Sequence, residues 1–112
     1  MKTATRPDHH VLAEALRRRV LEGPGEVDPA LRQAVAASAT GGPRAQPPYD
    51  ALARQIGEAA NRTTDVQVAN VVRAIGSEKA AFEVIVAAAV GAGLLRWEQA
   101  IKVLDEATNA AS

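Results

Sequence analysis

Residues 82–95 read FEVIVAAAVGAGLL, and this stretch decides the fold. Glu83 is the only charged residue in it, so a helix built from this stretch is apolar on nearly every side. A helix that is hydrophobic all round is normally buried all round. A chain of 112 residues has a high ratio of surface to volume and can hardly enclose one helix completely. The sequence therefore predicts a central helix whose burial is completed by other copies of the chain.

The surface that we expect between copies lies on this helix. Its residues are small or apolar, which would allow the helices of two chains to approach closely: Phe82, Ile85, Val86, Ala89, Val90 and Gly93. A monomer that wraps the helix with its own other helices is the alternative.

Local signals predict the helices that surround this one. Asp8 is a suitable N-cap for a first helix, whose apolar face ends before Gly23. Asp28 is placed to cap a second helix that fades near Ser38, because Pro29 suits the first helical position.

Further signals of the same kind follow along the chain. A third helix is expected over residues 50–61. Thr64 and Gln67 have the spacing of a capping box at the start of a fourth, and Gly76 suits its end. Ser77 is placed to cap the central helix, and the amphipathic stretch 97–107 either continues that helix or forms a sixth.

These elements predict an all-α fold, an antiparallel bundle of five to six helices. The bundle forms a single domain over residues 1–112. Two glycines and three prolines predict a loop over residues 40–48. We expect residues 1–7 to be a disordered tail.

Composition excludes several classes of function. Lys plus Arg and Asp plus Glu both total 13, so the net charge is zero; a nucleic-acid partner is therefore not expected. Cysteine is absent, which excludes disulfides and thiol chemistry. The longest apolar run, residues 84–95, is shorter than the roughly 20 residues of a spanning helix. Residues 1–10 contain no apolar stretch, so we do not expect a secretory signal. We expect a cytoplasmic protein with no membrane partner, no metal site and no cofactor.

Few residues suggest chemistry. Glu83 lies at the start of the apolar helix, where desolvation would raise its pKa and suit it to proton transfer. The alternative is an ordinary helical ion pair with Lys79, four residues earlier. Arg96 could line a pocket, although no local feature of the sequence indicates one. No catalytic constellation emerges from the residues themselves.

Several short motifs resemble a branch of the carboxymuconolactone decarboxylase family. They are residues 23–32 (GPGEVDPALR), Thr64-Asp65-Val66 with Val68-Ala69 after it, Phe82-Glu83, and residues 86–96 (VAAAVGAGLLR). The last is similar to an Ala-Ala-x-Gly-Ala-Gly-Leu-x-Arg segment of that branch. The order and spacing of these motifs also resemble those of the family, and together they span residues 21–104.

The resemblance implies an alkyl hydroperoxidase D-like fold that assembles into trimers or hexamers. Peroxide-reducing members of this family use a CxxC pair with a glutamate and a histidine. This chain has no cysteine, and no histidine after His10, so it would belong to a branch without that motif.

Two functions then stand as hypotheses. The first is a non-redox oligomer with a structural, accessory or small-ligand-binding role. In the accessory role it would serve a partner enzyme. The second is a cofactor-free decarboxylase or isomerase of a small carboxylated lactone. It would use Glu83 or a similar carboxylate for proton transfer and an arginine such as Arg96 to hold the substrate.

Overall fold

A computed structural model describes residues 8–111, which form five α-helices and no β-strand. The helices are α1 (His9–Glu22), α2 (Pro29–Ala39), α3 (Tyr49–Ala59), α4 (Asp65–Ile75) and α5 (Glu78–Ala111). A short 3-10 helix, Ala60–Arg62, connects α3 to α4. The predicted all-α class is confirmed. The tail expected at residues 1–7 lies outside the described residues.

Side chains cap the helices where the sequence predicted them. The Asp8 carboxylate accepts a hydrogen bond from the backbone N–H of His10 at 2.9 Å. Asp28 accepts one from the N–H of Ala30, also at 2.9 Å. Such bonds satisfy N–H groups that have no partner within the helix.

The start and end of α4 also follow the prediction. Thr64 and Gln67 form both hydrogen bonds of a capping box, at 3.0 and 3.2 Å. Gly76 then ends the helix with φ +95°, a left-handed conformation that favours glycine. The Ser77 hydroxyl accepts a hydrogen bond from the N–H of Ala80 at 3.0 Å and so caps α5.

The segment between α2 and α3 is irregular, as expected for residues 40–48. Gly41 has φ +86°, and the Pro47–Pro48 peptide bond is cis. Ala45 within this segment and Tyr49 directly after it are buried and attach the segment to the core.

The core lies where α5 packs against α2 and α3. Two glycines allow these helices to approach closely. A methyl group on Gly91 would lie 2.9 Å from the Cβ of Ala36 in α2. A methyl group on Gly57 in α3 would collide with the carbonyl of Ala39. Backbones in such close contact exclude any larger residue without a shift of one helix.

Helix α5 is continuous through Gly93 to Ala111, so there is no separate sixth helix within the described residues. Beyond Ile101, residues 102–110 are exposed. By length and composition alone, α5 could cross a membrane: its most apolar 18-residue window, within Glu78–Ala110, has a mean hydropathy of 1.6. Inside the chain, 44% of that window is buried. One such helix is weak evidence for a membrane span, because the core helix of a globular protein can meet the same criteria.

The chain covers only part of this helix. Val84, Ala87 and Ala88 are fully buried, whereas Phe82 is 64% exposed and Ala89 is also exposed. Helix α1 is similar, since Val11, Leu12 and Leu16 of its apolar face are exposed. Only the end of α1 reaches the core, through Leu21. The predicted enclosure of α5 is therefore incomplete in the single chain.

Candidate functional site

Glu83 binds the loop between α1 and α2. Its two carboxylate oxygens accept hydrogen bonds from the backbone N–H groups of Glu26, at 3.0 Å, and Val27, at 2.9 Å. A methyl group on Gly25 would lie 2.6 Å from this carboxylate, so the glycine allows the loop to come close.

These contacts lower the pKa of Glu83, since the two backbone N–H groups stabilise its charged form. Arg32 and Lys79 add smaller electrostatic effects in the same direction, against the opposing effect of desolvation. The expectation of a raised pKa was therefore wrong, because the loop supplies donors that the sequence did not reveal. The expected ion pair with Lys79 is absent as well: the Lys79 ammonium lies 3.3 Å from the Glu26 carboxylate instead.

Arg32 lies beneath the same loop and is 3% exposed. Its three guanidinium nitrogens donate hydrogen bonds to the backbone carbonyls of Val27 at 3.1 Å, Val20 at 2.7 Å and Gly23 at 2.5 Å. Every nitrogen thus has an acceptor, and the side chain ties the end of α1 to the start of α2. Sequence reasoning missed this role. The signal is that Val35 and Ala36 follow three and four positions later, which places Arg32 on the same side of α2 as these apolar residues.

Arg96 lies far from Glu83. Both residues are on α5, thirteen positions apart, which corresponds to about 20 Å along the helix. Glu83 lines a shallow cavity with Arg19, Val20, Pro24, Arg32, Phe82 and Val86. Arg96 lines a different one, so the two candidate catalytic residues do not share a site.

The cavity beside Arg96 is formed by α2, α3 and α5, and we call it the α2–α3–α5 cavity. It has a volume of about 280 Å³. Its lining includes two arginines, one glutamate, one serine and several small residues: Ser38, Ala39, Thr40, Gly41, Arg54, Gly57, Glu58, Ala92, Leu95, Arg96 and Gln99. The Arg96 guanidinium donates a hydrogen bond to the carbonyl of Gly57.

Within residues 8–111, two polar side chains of this cavity that are not exposed lack partners. Arg54 is half-buried and forms no hydrogen bond or ion pair there. Ser38 is 1% exposed, and its hydroxyl oxygen has no hydrogen-bond partner. Most buried polar atoms in proteins are hydrogen-bonded, so these two groups require an explanation. The sequence showed neither of them, because they come together only through the packing of α2 on α3.

The six residues predicted at a contact between copies fall into two groups. Phe82, Ala89 and Gly93 are exposed, while Ile85, Val86 and Val90 are half-buried. Phe82, Val86, Ala89 and Gly93 follow each other at intervals of four, three and four residues, and therefore share one side of the helix. We call these four residues the outer face of α5.

Next to α5, the start of α1 adds further apolar surface. Leu12 and Leu16 line a shallow groove together with Leu94 and Trp97 of α5. The His10 ring contacts the Trp97 ring edge to face, with centroids 5.5 Å apart. Among residues 8–111, no three His, Asp or Glu side chains are grouped so as to hold a metal ion.

Comparison with known proteins adds no relative. No protein-family profile matches the chain, no curated protein matches it, and no solved structure matches its fold. The resemblance to the carboxymuconolactone decarboxylase family therefore rests on the short motifs alone.

Proposed function

We propose that this protein is a homo-oligomer that assembles through the outer face of α5 and acts as a structural, accessory or small-ligand-binding protein without redox chemistry. The observation that carries the proposal is the exposure of this face. Phe82 alone leaves 64% of its surface uncovered, and burying apolar surface is worth about 25 cal/mol per Å². The exposed Leu12 and Leu16 of α1 lie on the neighbouring helix and would enlarge the contact.

A second copy of the chain is the occupant that the charges favour. The formal net charge is zero, so copies do not repel each other as like-charged molecules would. Residues such as Ala89 and Gly93 are small enough to let another helix approach closely. We propose a trimer or hexamer of antiparallel bundles in the cytoplasm, in line with the motifs of the cysteine-free branch. A partner enzyme could use the same assembly.

Sedimentation analysis of two matched variants tests this proposal. Ala89→Arg places a charge on the outer face and removes no contact within the chain, since Ala89 is exposed. Val66→Arg is the control, because Val66 is 67% exposed on α4, away from that face. We expect Ala89→Arg to sediment as a monomer and Val66→Arg to keep the wild-type assembly. Equal assembly of both variants would exclude the outer face as the contact.

The decarboxylase or isomerase hypothesis is not supported at Glu83. Glu83 is held as a carboxylate by the loop, and its lowered pKa suits it poorly to carry a proton near neutral pH. Arg96 lines a separate cavity.

A further inference from the structure

We propose that the α2–α3–α5 cavity binds a small organic monocarboxylate, with Arg54 as the residue that receives the carboxylate. This site goes beyond the proposed self-association and does not depend on it. The outer face of α5 is a separate surface, and none of its four residues lines the cavity.

The unpaired charge of Arg54 is the first argument. A guanidinium that is partly removed from water loses hydration and normally recovers it through acceptors in the protein. Arg32 shows this pattern, since all three of its nitrogens donate to backbone carbonyls. Arg54 has no acceptor within the described residues. A carboxylate in the cavity would supply two, in the planar geometry that a guanidinium prefers.

Ser38 also lies in the wall of this cavity. Its hydroxyl oxygen has no hydrogen-bond partner, but it is buried so completely that a ligand in the cavity cannot reach it. Ser38 is therefore not part of the binding group.

Charge and size define the class of ligand. Arg54 and Arg96 contribute two positive charges to the lining and Glu58 contributes one negative charge, so the lining carries one net positive charge. This balance favours a monoanion over a doubly charged phosphate. The volume of about 280 Å³ lies near the lower limit of ligand pockets. The apolar walls of Ala39, Ala92 and Leu95 suit a short hydrocarbon body.

Arg96 contributes a second cation. Its guanidinium donates a hydrogen bond to the Gly57 carbonyl, which fixes it beside α3. The close approach of α2 and α3 at Gly57 brings Ser38 and Arg54 to the same cavity. The site therefore forms with the fold and needs no rearrangement of the helices.

The experiment is a titration of the intact ¹⁵N-labelled protein, followed by NMR, with butyrate as the probe. Butyramide, its neutral counterpart, and inorganic phosphate are titrated in parallel. We expect butyrate to shift the amide resonances of Thr40, Gly41 and Glu58 until they saturate, and butyramide to leave them unchanged. Absence of a saturable shift with butyrate would overturn the proposal. Tighter binding of phosphate than of butyrate would overturn the carboxylate assignment.

Variants then locate the binding group. Arg54→Gln should raise the dissociation constant for butyrate about tenfold or more, the loss expected for one charge-assisted hydrogen bond. Arg62→Gln is the matched control, because Arg62 is exposed in the turn before α4 and does not line the cavity. Ser38→Ala should leave the affinity for butyrate unchanged, because the Ser38 hydroxyl cannot be reached from the cavity. Unchanged affinity in Arg54→Gln would contradict the assignment of the site.

Discussion

The two faces of α5 have similar composition but opposite surroundings. On the inner face, Val84, Ala87, Ala88 and Gly91 are buried against other helices of the chain. On the outer face, Phe82, Ala89 and Gly93 are exposed. The difference shows that, in so short a chain, the neighbouring helices bury only about half of the surface of a helix that is apolar on every side. The other half of its apolar surface is available to a second molecule.

The largest effect is expected on the inner face, at Gly91. Alanine at this position adds a methyl group 2.9 Å from the Ala36 Cβ and 3.0 Å from the backbone of Ala36. Overpacking of this kind costs about 1–3 kcal/mol, which exceeds the gain of up to about 1 kcal/mol from replacing glycine in a helix. We expect Gly91→Ala to lower the urea midpoint of unfolding, with an unchanged slope. A raised midpoint would mean that α2 and α5 are not in close contact.

A smaller effect is expected at the border between the faces, where Glu83 binds the loop. Because the pKa of Glu83 is lowered, its carboxylate makes its full contribution to the stability of the fold at pH values above the ordinary pKa of 4.5. This contribution is lost as the pH falls through the pKa that Glu83 has in the folded chain. Glutamine has only one acceptor oxygen, so Glu83→Gln loses one of the two hydrogen bonds from the loop. It should therefore lower the melting temperature at pH 7, by the equivalent of about 1 kcal/mol. The difference from wild type should shrink below pH 4.

Glu106→Gln is the control for this measurement, because Glu106 is exposed near the end of α5. It should leave the melting temperature nearly unchanged at both pH values. A Glu83→Gln difference that grows as the pH falls would show that the pKa of Glu83 is raised.

The smallest effect is expected on the outer face, at Gly93. A methyl group there meets no atom of the chain within 4 Å. Gly93→Ala should therefore stabilise the fold by up to about 1 kcal/mol through its helix propensity. Urea unfolding in dilute solution is the appropriate measurement, since it reports on the chain with little association. A loss of stability that is independent of protein concentration would show that Gly93 packs within its own chain.

Local chemistry explains which features could be predicted from the sequence. Helix starts at Asp8, Asp28 and Thr64 depend on hydrogen bonds between residues two or three positions apart, which a sequence displays directly. The end of α4 at Gly76 follows from one backbone conformation. The continuity of α5 through Gly93 was left open, because a single glycine weakens a helix without always ending it.

Distant contacts explain what could not be predicted. The pKa of Glu83 depends on the backbone N–H groups of Glu26 and Val27, 57 and 56 positions away in the chain. The sequence therefore predicted a raised pKa where the structure lowers it. The sequence indicated an apolar face on α1, but not that Val11 and Leu12 of this face are exposed in the described chain. The α2–α3–α5 cavity combines residues from three helices, and no local pattern marks Arg54 or Ser38 as members of one site.

The central claim is that the outer face of α5 is covered by other copies of the chain. Native mass spectrometry of the purified protein, under conditions that preserve non-covalent assemblies, tests it most directly. We expect the mass of a trimer or hexamer of the 11.7 kDa chain for the wild type, and of a monomer for Ala89→Arg. A wild-type protein that is monomeric over the whole accessible concentration range would contradict the account.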